Sequence, residues 1–420
     1  MKNNTVAIDY LGCKLNQAEV ESLALDFIHA GYSIVPFGQR ADVYVLNSCT
    51  VTHVADRKTR QWLGRARRQN SSALIVVTGC YAEREPEALK RIDNNIIVMG
   101  NDEKLNMVQS LVEKGYLEKS AQKEELAPGN IGKTRSLVWV QQGCSNRCSY
   151  CIVPLVRYAG FSRSPDEVIE EVKSRIDSGY LEIVLTGTEI GSFNSQGINL
   201  TVLVKMILED TSIKRLRLSS LQPHHIDEEL LGLWKDNRLC AHFHLSLQSG
   251  SDAILKRMNR KYDSGMFLTA VNKIRDHVPD VAVTTDVIVG FPGETQEDFE
   301  ETLSICQKVG FARIHVFPYS LRPGTSASQM KDQISPQVKK LRETQMTELA
   351  KKQNRDFRKT YENRIMSVLW ESYSKGLSSG LTPNYIRVYA KGDKPRDNTI
   401  SDARILGLWK DGVAGEVLQE

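Results

Sequence analysis

Three cysteines stand close together near the middle of the chain, at Cys144, Cys148 and Cys151. Their spacing, C-x3-C-x2-C, can bring three thiolates together as metal ligands. A structural zinc ion normally takes four ligands, and the next cysteine or histidine along the chain is only His224. Three thiolates instead suit a 4Fe–4S cluster with one iron left to bind a small molecule. The spacing favours such a cluster, with zinc as the alternative interpretation.

Three further cysteines are far apart in sequence but share a position relative to predicted strands. Cys13, Cys49 and Cys80 each follow a short apolar run. Because ligands in open α/β sheets bind beyond the carboxyl ends of the strands, these cysteines are expected to meet in space. The other two, Cys240 and Cys306, have no metal spacing and are expected to be small hydrophobic residues.

The composition is that of a globular protein, with 41% hydrophobic and 25% charged residues in a chain of 420. No apolar run is long enough to cross a bilayer, and the N-terminus lacks the pattern of a secretory signal. We therefore expect a cytoplasmic protein with no membrane partner, whose thiols serve metal binding or catalysis rather than disulfides. No self-association surface is evident, so a monomer is expected.

The predicted fold class is α/β, with three domains at residues 1–118, 130–355 and 356–420. The first alternates strands and helices, which indicates a small parallel sheet. Its predicted strands are 6–10, 43–47, 74–78 and 96–99, and its predicted helices are 16–30, 52–69 and 87–92. A charged stretch at about 113–134 is expected to be an exposed connection to the second domain.

The second domain shows six β/α steps, too few for an eight-fold barrel, so a partial, open barrel is predicted. Its predicted strands are 137–141, 183–186, 215–218, 242–247, 282–289 and 315–318. A long polar helix is predicted at 335–361. The third domain then alternates apolar and polar residues at 365–371, 384–390 and 404–409, which predicts a small β-barrel.

The motif C-x3-C-x2-C, with the aromatic Tyr150 before its last cysteine, resembles that of the radical S-adenosylmethionine superfamily. The resemblance implies that Cys144, Cys148 and Cys151 are catalytic, each holding one iron of a 4Fe–4S cluster. The fourth iron would bind the amino and carboxylate groups of S-adenosylmethionine. Reductive cleavage of the sulfonium would then give a 5′-deoxyadenosyl radical.

The whole chain resembles the methylthiotransferases of this superfamily. Further matching stretches are 151–154, 183–187, 217–220, 247–251, 258–262, 290–295 and 317–320. The resemblance implies that Cys13, Cys49 and Cys80 hold a second 4Fe–4S cluster, whose open iron carries the sulfur to be inserted. It also implies that the last domain is an RNA-binding TRAM domain. An electron donor such as flavodoxin or ferredoxin, and a sulfur donor, would be partners.

Candidate cofactor-binding residues follow the predicted strands or the cysteine motif. They are Tyr150, Arg157, Gly187, Glu189, Ser219, Gln248 and Gly290. The glycines let a cofactor approach the backbone closely, and the serine and glutamine offer hydrogen bonds at strand ends. Glu189 is suited to accept a hydrogen bond from the cofactor ammonium, although a solvated loop carboxylate explains it equally well. Arg157 is suited to neutralise a carboxylate.

The charge distribution is compatible with an RNA partner. The net charge of +4 equals the balance of residues 351–420 alone. A basic stripe at 57–68 and basic residues among aromatics in the last domain fit phosphate binding around an unpaired loop. The candidate RNA-binding residues are Arg57, Lys58, Arg60, Arg358, Lys359 and Arg387. A solvated helix face and an ordinary β domain with partly buried aromatics are the alternatives.

The sequences around Cys13 and Cys49 resemble the branch that modifies threonylcarbamoylated adenosine in bacterial tRNA. Lys14 stands where the ribosomal-protein branch has proline, and Thr50-Val51-Thr52 replaces a Ser-Ile-Arg-type segment of the isopentenyladenosine branch. The expected function is methylthiolation of C2 of N6-threonylcarbamoyladenosine 37, next to the anticodon. The alternatives are the isopentenyladenosine and ribosomal-protein aspartate substrates, or a zinc-containing RNA-binding protein without catalysis.

Overall fold

The computed structural model describes residues 4–118, 134–157 and 160–418. Most of the predicted connection at 113–134 lies outside these residues. Among the described helices, none combines the length and hydrophobicity needed to cross a bilayer.

The first part of the chain forms a five-stranded parallel sheet in the order β2-β1-β3-β4-β5. The strands are β1 (Thr5–Tyr10), β2 (Ser33–Ile34), β3 (Val43–Ser48), β4 (Leu74–Gly79) and β5 (Ile96–Val98). The helices are α1 (Lys14–His29), α2 (His53–Gln69), α3 (Cys80–Arg84), α4 (Pro86–Lys90) and α5 (Met107–Glu113). The central strand β3 is buried on both faces, which explains its continuous apolar run. The predicted parallel α/β sheet is confirmed; β2 is too short to show a periodicity.

The second part forms six main parallel strands in sequential order around a partial barrel. The strands are β6 (Arg135–Gln142), β7 (Phe161–Ser162), β8 (Glu182–Gly187), β9 (Asn194–Ser195), β10 (Ile198–Asn199), β11 (Arg215–Leu218), β12 (Ser220–Leu221), β13 (His242–Leu245), β14 (Ala282–Val289) and β15 (Arg313–Pro318). The main six are β6, β8, β11, β13, β14 and β15. The described β6 and β15 do not pair, so the predicted open barrel is confirmed.

Helices cover the outside of the partial barrel. They are α6 (Val153–Val156), α7 (Pro165–Asp177), α8 (Leu200–Asp210), α9 (Glu228–Gly232), α10 (Asp252–Arg257), α11 (Ser264–His277), α12 (Gln296–Val309) and α13 (Pro336–Lys359). The apolar faces of the strands and helices merge into one large buried core. On the open side, Leu15 and Ala18 of α1 pack against Leu137, Trp139 and Val184 of the barrel. The first sheet is thereby fixed against the barrel interior.

The last part is a closed barrel in the order β16-β17-β18-β20-β19. Its strands are β16 (Ile365–Ser374), β17 (Leu377–Leu381), β18 (Arg387–Lys391), β19 (Thr399–Trp409) and β20 (Gly412–Val417). The β-barrel prediction is confirmed, but β17 and β20 were not predicted. Both contain glycines, which the sequence pattern assigns to turns. In the barrel Gly380 instead gives room for the Leu369 carbonyl, where a Cβ atom would collide.

This small barrel closes the amino ends of the partial barrel's strands. Arg215 Nη1 donates to the Leu381 carbonyl over 2.9 Å, and Arg217 Nη1 donates to the Pro383 carbonyl over 2.8 Å. Between them lies the closing turn, residues 382–386. Tyr385, with a φ of +67°, reaches from this turn to within 4.2 Å of the Arg217 guanidinium. The opposite end of the barrel, where the cysteine motif follows β6, remains available for chemistry.

Candidate active site

The three N-terminal cysteines lie at one edge of the first sheet. Cys13 is the N-cap of α1, Cys49 follows β3, and Cys80 begins α3 directly after β4. Because β1, β3 and β4 are adjacent and parallel, their carboxyl ends share that edge. The structure therefore brings together three residues that the sequence separates widely.

Two glycines make this approach possible. Gly12 and Gly79 have φ values of +100° and +89°, which residues with a Cβ atom rarely adopt. A Cβ atom on Gly12 would lie 2.6 Å from the Cys49 Sγ atom, and one on Gly79 would collide with the Ser48 carbonyl. Each Gly-Cys pair thus lets a cysteine approach its neighbours closely.

Two of the N-terminal thiols, those of Cys13 and Cys49, have raised pKa values. Burial raises the pKa of Cys13, and it raises the pKa of Cys49 to about 12. A metal centre that takes these residues as thiolates must displace their protons, so its own positive charge has to supply the driving force.

The second cysteine triplet occupies the loop after β6. The Cys151 N–H donates to the Cys148 carbonyl over 3.0 Å, which folds the loop back on itself. The Cys144 thiol donates to Glu189 Oε2 over 3.0 Å. Burial, and then the neighbouring Glu189, raises the pKa of Cys144 to about 12, and burial raises the pKa of Cys151 to about 12.

Glu189 contacts residues from several segments around this loop. It is only 6% exposed and follows β8 by two residues. Its Oε1 atom accepts from Asn146 Nδ2 over 2.5 Å and from the Gln222 side chain. Its backbone N–H donates to Gln141 Oε1 over 2.8 Å. One buried residue, Glu189, therefore holds together the ends of strands β6 and β8 and the cysteine loop.

Arg260 is a site residue that the sequence analysis did not single out. Its Nη1 atom donates to the Cys148 Sγ atom over 3.2 Å and to the Tyr150 hydroxyl over 3.4 Å. Its Nη2 and Nε atoms donate to Gln222 Oε1 and to the Tyr262 hydroxyl, each over 3.0 Å. The matching stretch 258–262 contained the only signal for it. This guanidinium therefore links the cysteine loop to the segments that carry Gln222 and Tyr262.

The two triplets lie near each other. Cys80 shares a buried cluster with Ile152 and Val156, which lie in the segment just after Cys151. Cys80 is also close enough to Cys151 to raise the pKa of the latter, as a smaller cause than burial. Six cysteines from two sheets therefore border one region of the molecule.

The sulfur positions do not resemble a zinc site. Thiolates around tetrahedral zinc, with Zn–S bonds of about 2.3 Å, lie within about 4 Å of one another. Among the described residues, two groups of three or more ligand atoms lie within 4.8 Å of one another, one at Glu189, His224 and His225 and one at His244, Asp286 and His315. Neither cysteine triplet is such a group. Both triplets are spread more widely, as ligands of a larger cluster must be.

Comparison with known proteins assigns the chain to a family. The Radical SAM superfamily model matches residues 139–306, and the model of the uncharacterized protein family UPF0004 matches residues 5–100. "Threonylcarbamoyladenosine tRNA methylthiotransferase MtaB" of Bacillus subtilis (strain 168) is 38% identical over 96% of this chain and 94% of its own length. The protein of the same name from Thermotoga maritima is 36% identical over 98% and 99%. This chain belongs to the radical S-adenosylmethionine methylthiotransferases.

Other similarities agree with that membership. "tRNA-2-methylthio-N(6)-dimethylallyladenosine synthase" of Pelobacter propionicus is 34% identical over the full length of both chains. Among solved structures, the radical S-adenosylmethionine methyltransferase TsrM from Kitasatospora setae has a TM-score of 0.56 at 15% identity, covering 78% of this chain and 77% of its own. The latter likeness shows the fold alone.

Membership of the methylthiotransferases implies S-adenosylmethionine and a 4Fe–4S cluster, and the site fits a polar cofactor. Ser219 Oγ, at the end of β11, and Asn146 Oδ1, beside Glu189, are buried without a hydrogen-bond partner among the described residues. Buried polar atoms are normally satisfied, so unpaired ones at strand ends indicate a ligand that satisfies them. Gln248, with a φ of +67°, stands at the same end of the barrel.

Three of the predicted cofactor contacts are placed differently. The Arg157 guanidinium is buried against Glu19 and Asn16 of α1, so it joins the two domains instead of facing a cofactor carboxylate. Gly187 is a glycine because a Cβ atom would collide with the Gln141 carbonyl of β6. Gly290 lies against Lys339 of α13, and its N–H donates to Glu294 over 2.6 Å. These glycines serve chain packing.

The candidate RNA-binding residues fall into two groups. Arg57, Lys58 and Arg60 are exposed on one side of α2, whose buried side carries Trp62 and Leu63. Lys359, the last residue of α13, is exposed beside the small barrel. Two others have internal partners: Arg358 donates to the Gly412 carbonyl over 2.6 Å, and Arg387 faces Glu371 at 3.4 Å. The α2 stripe is therefore the group whose three members are all exposed.

Proposed function

We propose that this methylthiotransferase attaches a methylthio group to C2 of N6-threonylcarbamoyladenosine 37 in tRNA. The observation that carries the proposal is the convergence of two cysteine triplets, from two domains, on one region. One triplet supports the radical chemistry. The second gives that chemistry a place from which sulfur can be delivered.

The first triplet, Cys144, Cys148 and Cys151, would hold the 4Fe–4S cluster to which S-adenosylmethionine binds. When bound, the pair supplies a radical that removes a hydrogen atom from the substrate. Glu189 and Ser219 offer an acceptor and a hydroxyl to the polar groups of the cofactor. Arg260 donates a hydrogen bond to the Cys148 sulfur and so orients it. The buried surroundings of the loop exclude water from the site.

The second triplet, Cys13, Cys49 and Cys80, would hold a second 4Fe–4S cluster. Its support is geometric: two positive-φ glycines give the cysteines room, and the thiols lie too far apart for zinc. Three protein thiolates leave one iron without a protein ligand, which is where the sulfur to be inserted would reside. The zinc-containing RNA-binding protein is not favoured by family membership.

The names of relatives and the residues around the N-terminal cysteines both support threonylcarbamoyladenosine as the proposed substrate. Relatives named for threonylcarbamoyladenosine are 35–38% identical to this chain, whereas those compared that are named for dimethylallyladenosine are 30–34% identical. The segment Gly12-Cys13-Lys14 and the segment Thr50-Val51-Thr52 agree with the former group. The isopentenyladenosine and ribosomal-protein substrates remain as outcomes of the test.

The tRNA would lie across the exposed α2 stripe and the small barrel. Arg57, Lys58 and Arg60 project from α2, which begins four residues after Cys49, so they can guide the anticodon loop to the second triplet. On the small barrel, Lys410 lies 4.1 Å from the Trp409 ring, which is 37% exposed. An exposed aromatic beside a cation is suited to stack on an unpaired base.

The remaining expectations belong to the same proposal. The domains span residues 1–118, 130–355 and 356–420, and the protein acts as a cytoplasmic monomer. A low-potential electron donor such as flavodoxin or ferredoxin reduces the cluster, and a separate donor replenishes the sulfur.

The test is anaerobic reconstitution followed by reaction with defined tRNAs. The enzyme with both clusters is incubated with reductant, a sulfide source and S-adenosylmethionine, and with tRNA carrying either threonylcarbamoyladenosine or isopentenyladenosine. Nucleoside mass spectrometry is expected to show 2-methylthio product from the threonylcarbamoylated tRNA. Product from only the isopentenylated tRNA, or from neither, would overturn the proposed function.

A further inference from the structure

Lys14 is a solvent-accessible cation at the junction of the first sheet, the partial barrel and the small barrel. It follows Cys13 and begins α1, with its ammonium 5.9 Å from the Tyr385 ring. Within the described part of the chain, its nitrogen has no carboxylate within 4.0 Å and no hydrogen-bond acceptor. Nearby arginines are paired: Arg135 with Glu371 at 2.7 Å and Arg217 with Glu182 at 2.8 Å.

Two cavities meet at Lys14. One, of about 360 Å³, lies between the first sheet and the barrel and is lined by Tyr10, Gln17 and Thr134. The other, of about 420 Å³, lies inside the barrel and is lined by His242, among others. Lys14, Arg135 and Tyr385 line both. The lysine therefore lies where two solvent-accessible clefts meet, at the junction of all three parts of the chain.

Unsatisfied polar atoms line the same cavities. Thr134 Oγ1 and His242 Nδ1 are buried and have no partner among the described residues. The carboxylates around the second cavity are already paired: Asp286 with His244 at 3.3 Å, and Asp411 with the Tyr389 hydroxyl at 2.5 Å. An unpaired ammonium beside unpaired polar atoms is suited to bind a small anion.

Three cations surround the Tyr385 ring at this junction: Lys14 at 5.9 Å, Arg135 at 5.5 Å and Arg217 at 4.2 Å. Their combined positive charge favours an anion there. Lysine is suited to bind one because its compact charge accepts a carboxylate from several directions.

The chemistry of the proposed substrate supplies such an anion. In N6-threonylcarbamoyladenosine, the carbamoyl group joins N6 to a threonine that carries a free carboxylate. Atoms N6 and C2 lie on the same edge of adenine, on either side of N1. A group that holds the carboxylate must therefore lie beside the group that delivers sulfur to C2. Lys14 and Cys13 are consecutive residues, with Cα atoms about 3.8 Å apart.

We propose that Lys14 binds the threonyl carboxylate and thereby selects threonylcarbamoyladenosine over adenosines with an uncharged N6 substituent. This inference rests on the proposed function. It assigns the junction cavities to the threonylcarbamoyl group, with the Thr134 hydroxyl and His242 available to its polar atoms and the Tyr385 ring closing the far end.

The test compares two RNAs on the reconstituted holoenzyme. One is an anticodon stem-loop carrying threonylcarbamoyladenosine, and the other is the same RNA with the threonyl carboxylate converted to its methyl ester. Dissociation constants and kcat/KM are measured for the wild type and for Lys14→Met, which keeps the length of the side chain but not its charge. The control is Lys205→Met, a 62% exposed lysine on the outer helix α8.

The wild type and the control are expected to bind the acid roughly 10- to 100-fold more tightly than the ester. Lys14→Met is expected to bind both alike. Equal affinity of the wild type for the two RNAs would overturn the inference, and that comparison needs no variant. An unchanged acid preference in Lys14→Met would overturn it as well. Iron content verifies that the substitution beside Cys13 leaves the clusters in place; should it not, Lys14→Gln replaces it.

Failure of the proposed function would give a different experimental result from failure of the role proposed for Lys14. In that case the wild type would not methylthiolate the threonylcarbamoylated RNA at all. If the wild type does so and Lys14→Met retains its preference for the acid, the function stands and the role of Lys14 falls.

Discussion

Arg157 forms a bidentate ion pair with Glu19, at 2.6 Å and 3.0 Å, across the boundary between the first sheet and the barrel. Arg157 stands six residues after Cys151, and Glu19 stands six residues after Cys13. Lys104 adds a third charge, 2.8 Å from Glu19. This buried pair therefore helps to fix the position of one cysteine triplet relative to the other.

Glu19→Gln is expected to destabilise the protein by about 3–5 kcal/mol, because it leaves two buried cations without their counter-charge. Thermal or urea unfolding of the apoprotein measures the effect. Glu170→Gln, in a pair whose members are 75% and 44% exposed, is the control and should change stability by about 1 kcal/mol or less. Equal effects of both substitutions would contradict this role for the pair.

The same pair predicts a pH dependence. Burial alone would raise the pKa of Glu19, but Arg157 and Lys104 hold it well below its usual range. A carboxyl with a depressed folded-state pKa stabilises the fold above its unfolded pKa of about 4.3 and loses that contribution as the pH falls. Stability measured from pH 7 to pH 3 should decline more steeply in the wild type than in Glu19→Gln.

Iron content tests the two triplets separately. Replacing Cys144, Cys148 and Cys151 together with alanine is expected to remove one 4Fe–4S cluster per chain and leave the other. Replacing Cys240 and Cys306, both buried in the core, should leave the iron and sulfide content unchanged. If the triple variant loses all its iron, the N-terminal cysteines are not ligands.

Gly12→Ala is expected to lose the N-terminal cluster alone. The new Cβ atom would require a strained φ and would lie 2.6 Å from the Cys49 sulfur. Gly38→Ala is the matched control, since a Cβ atom there meets nothing within 4 Å. Iron analysis and electron paramagnetic resonance should show one cluster in the first variant and two in the control. Retention of both clusters in Gly12→Ala would refute the predicted geometry.

Glu189→Gln is expected to weaken S-adenosylmethionine binding. A glutamine oxygen can still accept from Asn146 and Gln222, which both donate to Oε1, but an NH₂ group then replaces Oε2. That group is a donor only, so it offers no acceptor to the cofactor ammonium. Equilibrium binding to the reconstituted enzyme measures the change, with Glu209→Gln, 62% exposed on α8, as the control. Unaltered affinity would assign Glu189 to the loop structure alone.

The α2 stripe is expected to contribute to the salt dependence of tRNA binding. Replacing Arg57, Lys58 and Arg60 with glutamine should lower the slope of log K against log salt by roughly 2–3. The same number of substitutions at Lys205, Lys340 and Lys352 should leave the slope near its original value. A stripe that only faces solvent would give no difference between the two sets.

Much of this site could be predicted because it depends on local rules. Cysteines after parallel strands converge whatever the details of the sheet, so Cys13, Cys49 and Cys80 were expected to meet. Contacts between distant segments could not be predicted. The partner of Arg157 depends on how two domains dock. Arg260 reaches Cys148 only because the segment after α10 folds against the cysteine loop, where the Ser149 N–H donates to the Met258 carbonyl over 3.0 Å.

The small barrel also shows why some strands could not be predicted from the sequence. Strands β17 and β20 contain glycines that the sequence pattern assigns to turns, whereas in the structure they make room for neighbouring carbonyls. The C-terminal barrel could be predicted from its alternating strands, but its strand count required knowledge of which backbones approach each other.

The closing turn at residues 382–386 limits which other domains could replace the C-terminal barrel. Because Tyr385 covers the amino ends of the partial barrel, this small domain also closes the barrel interior on the side away from the cysteine loop. A chain without it would open that interior to water and dioxygen, and would be expected to lose bound iron in air. Grafting a foreign RNA-binding module would therefore require one that carries an equivalent aromatic turn.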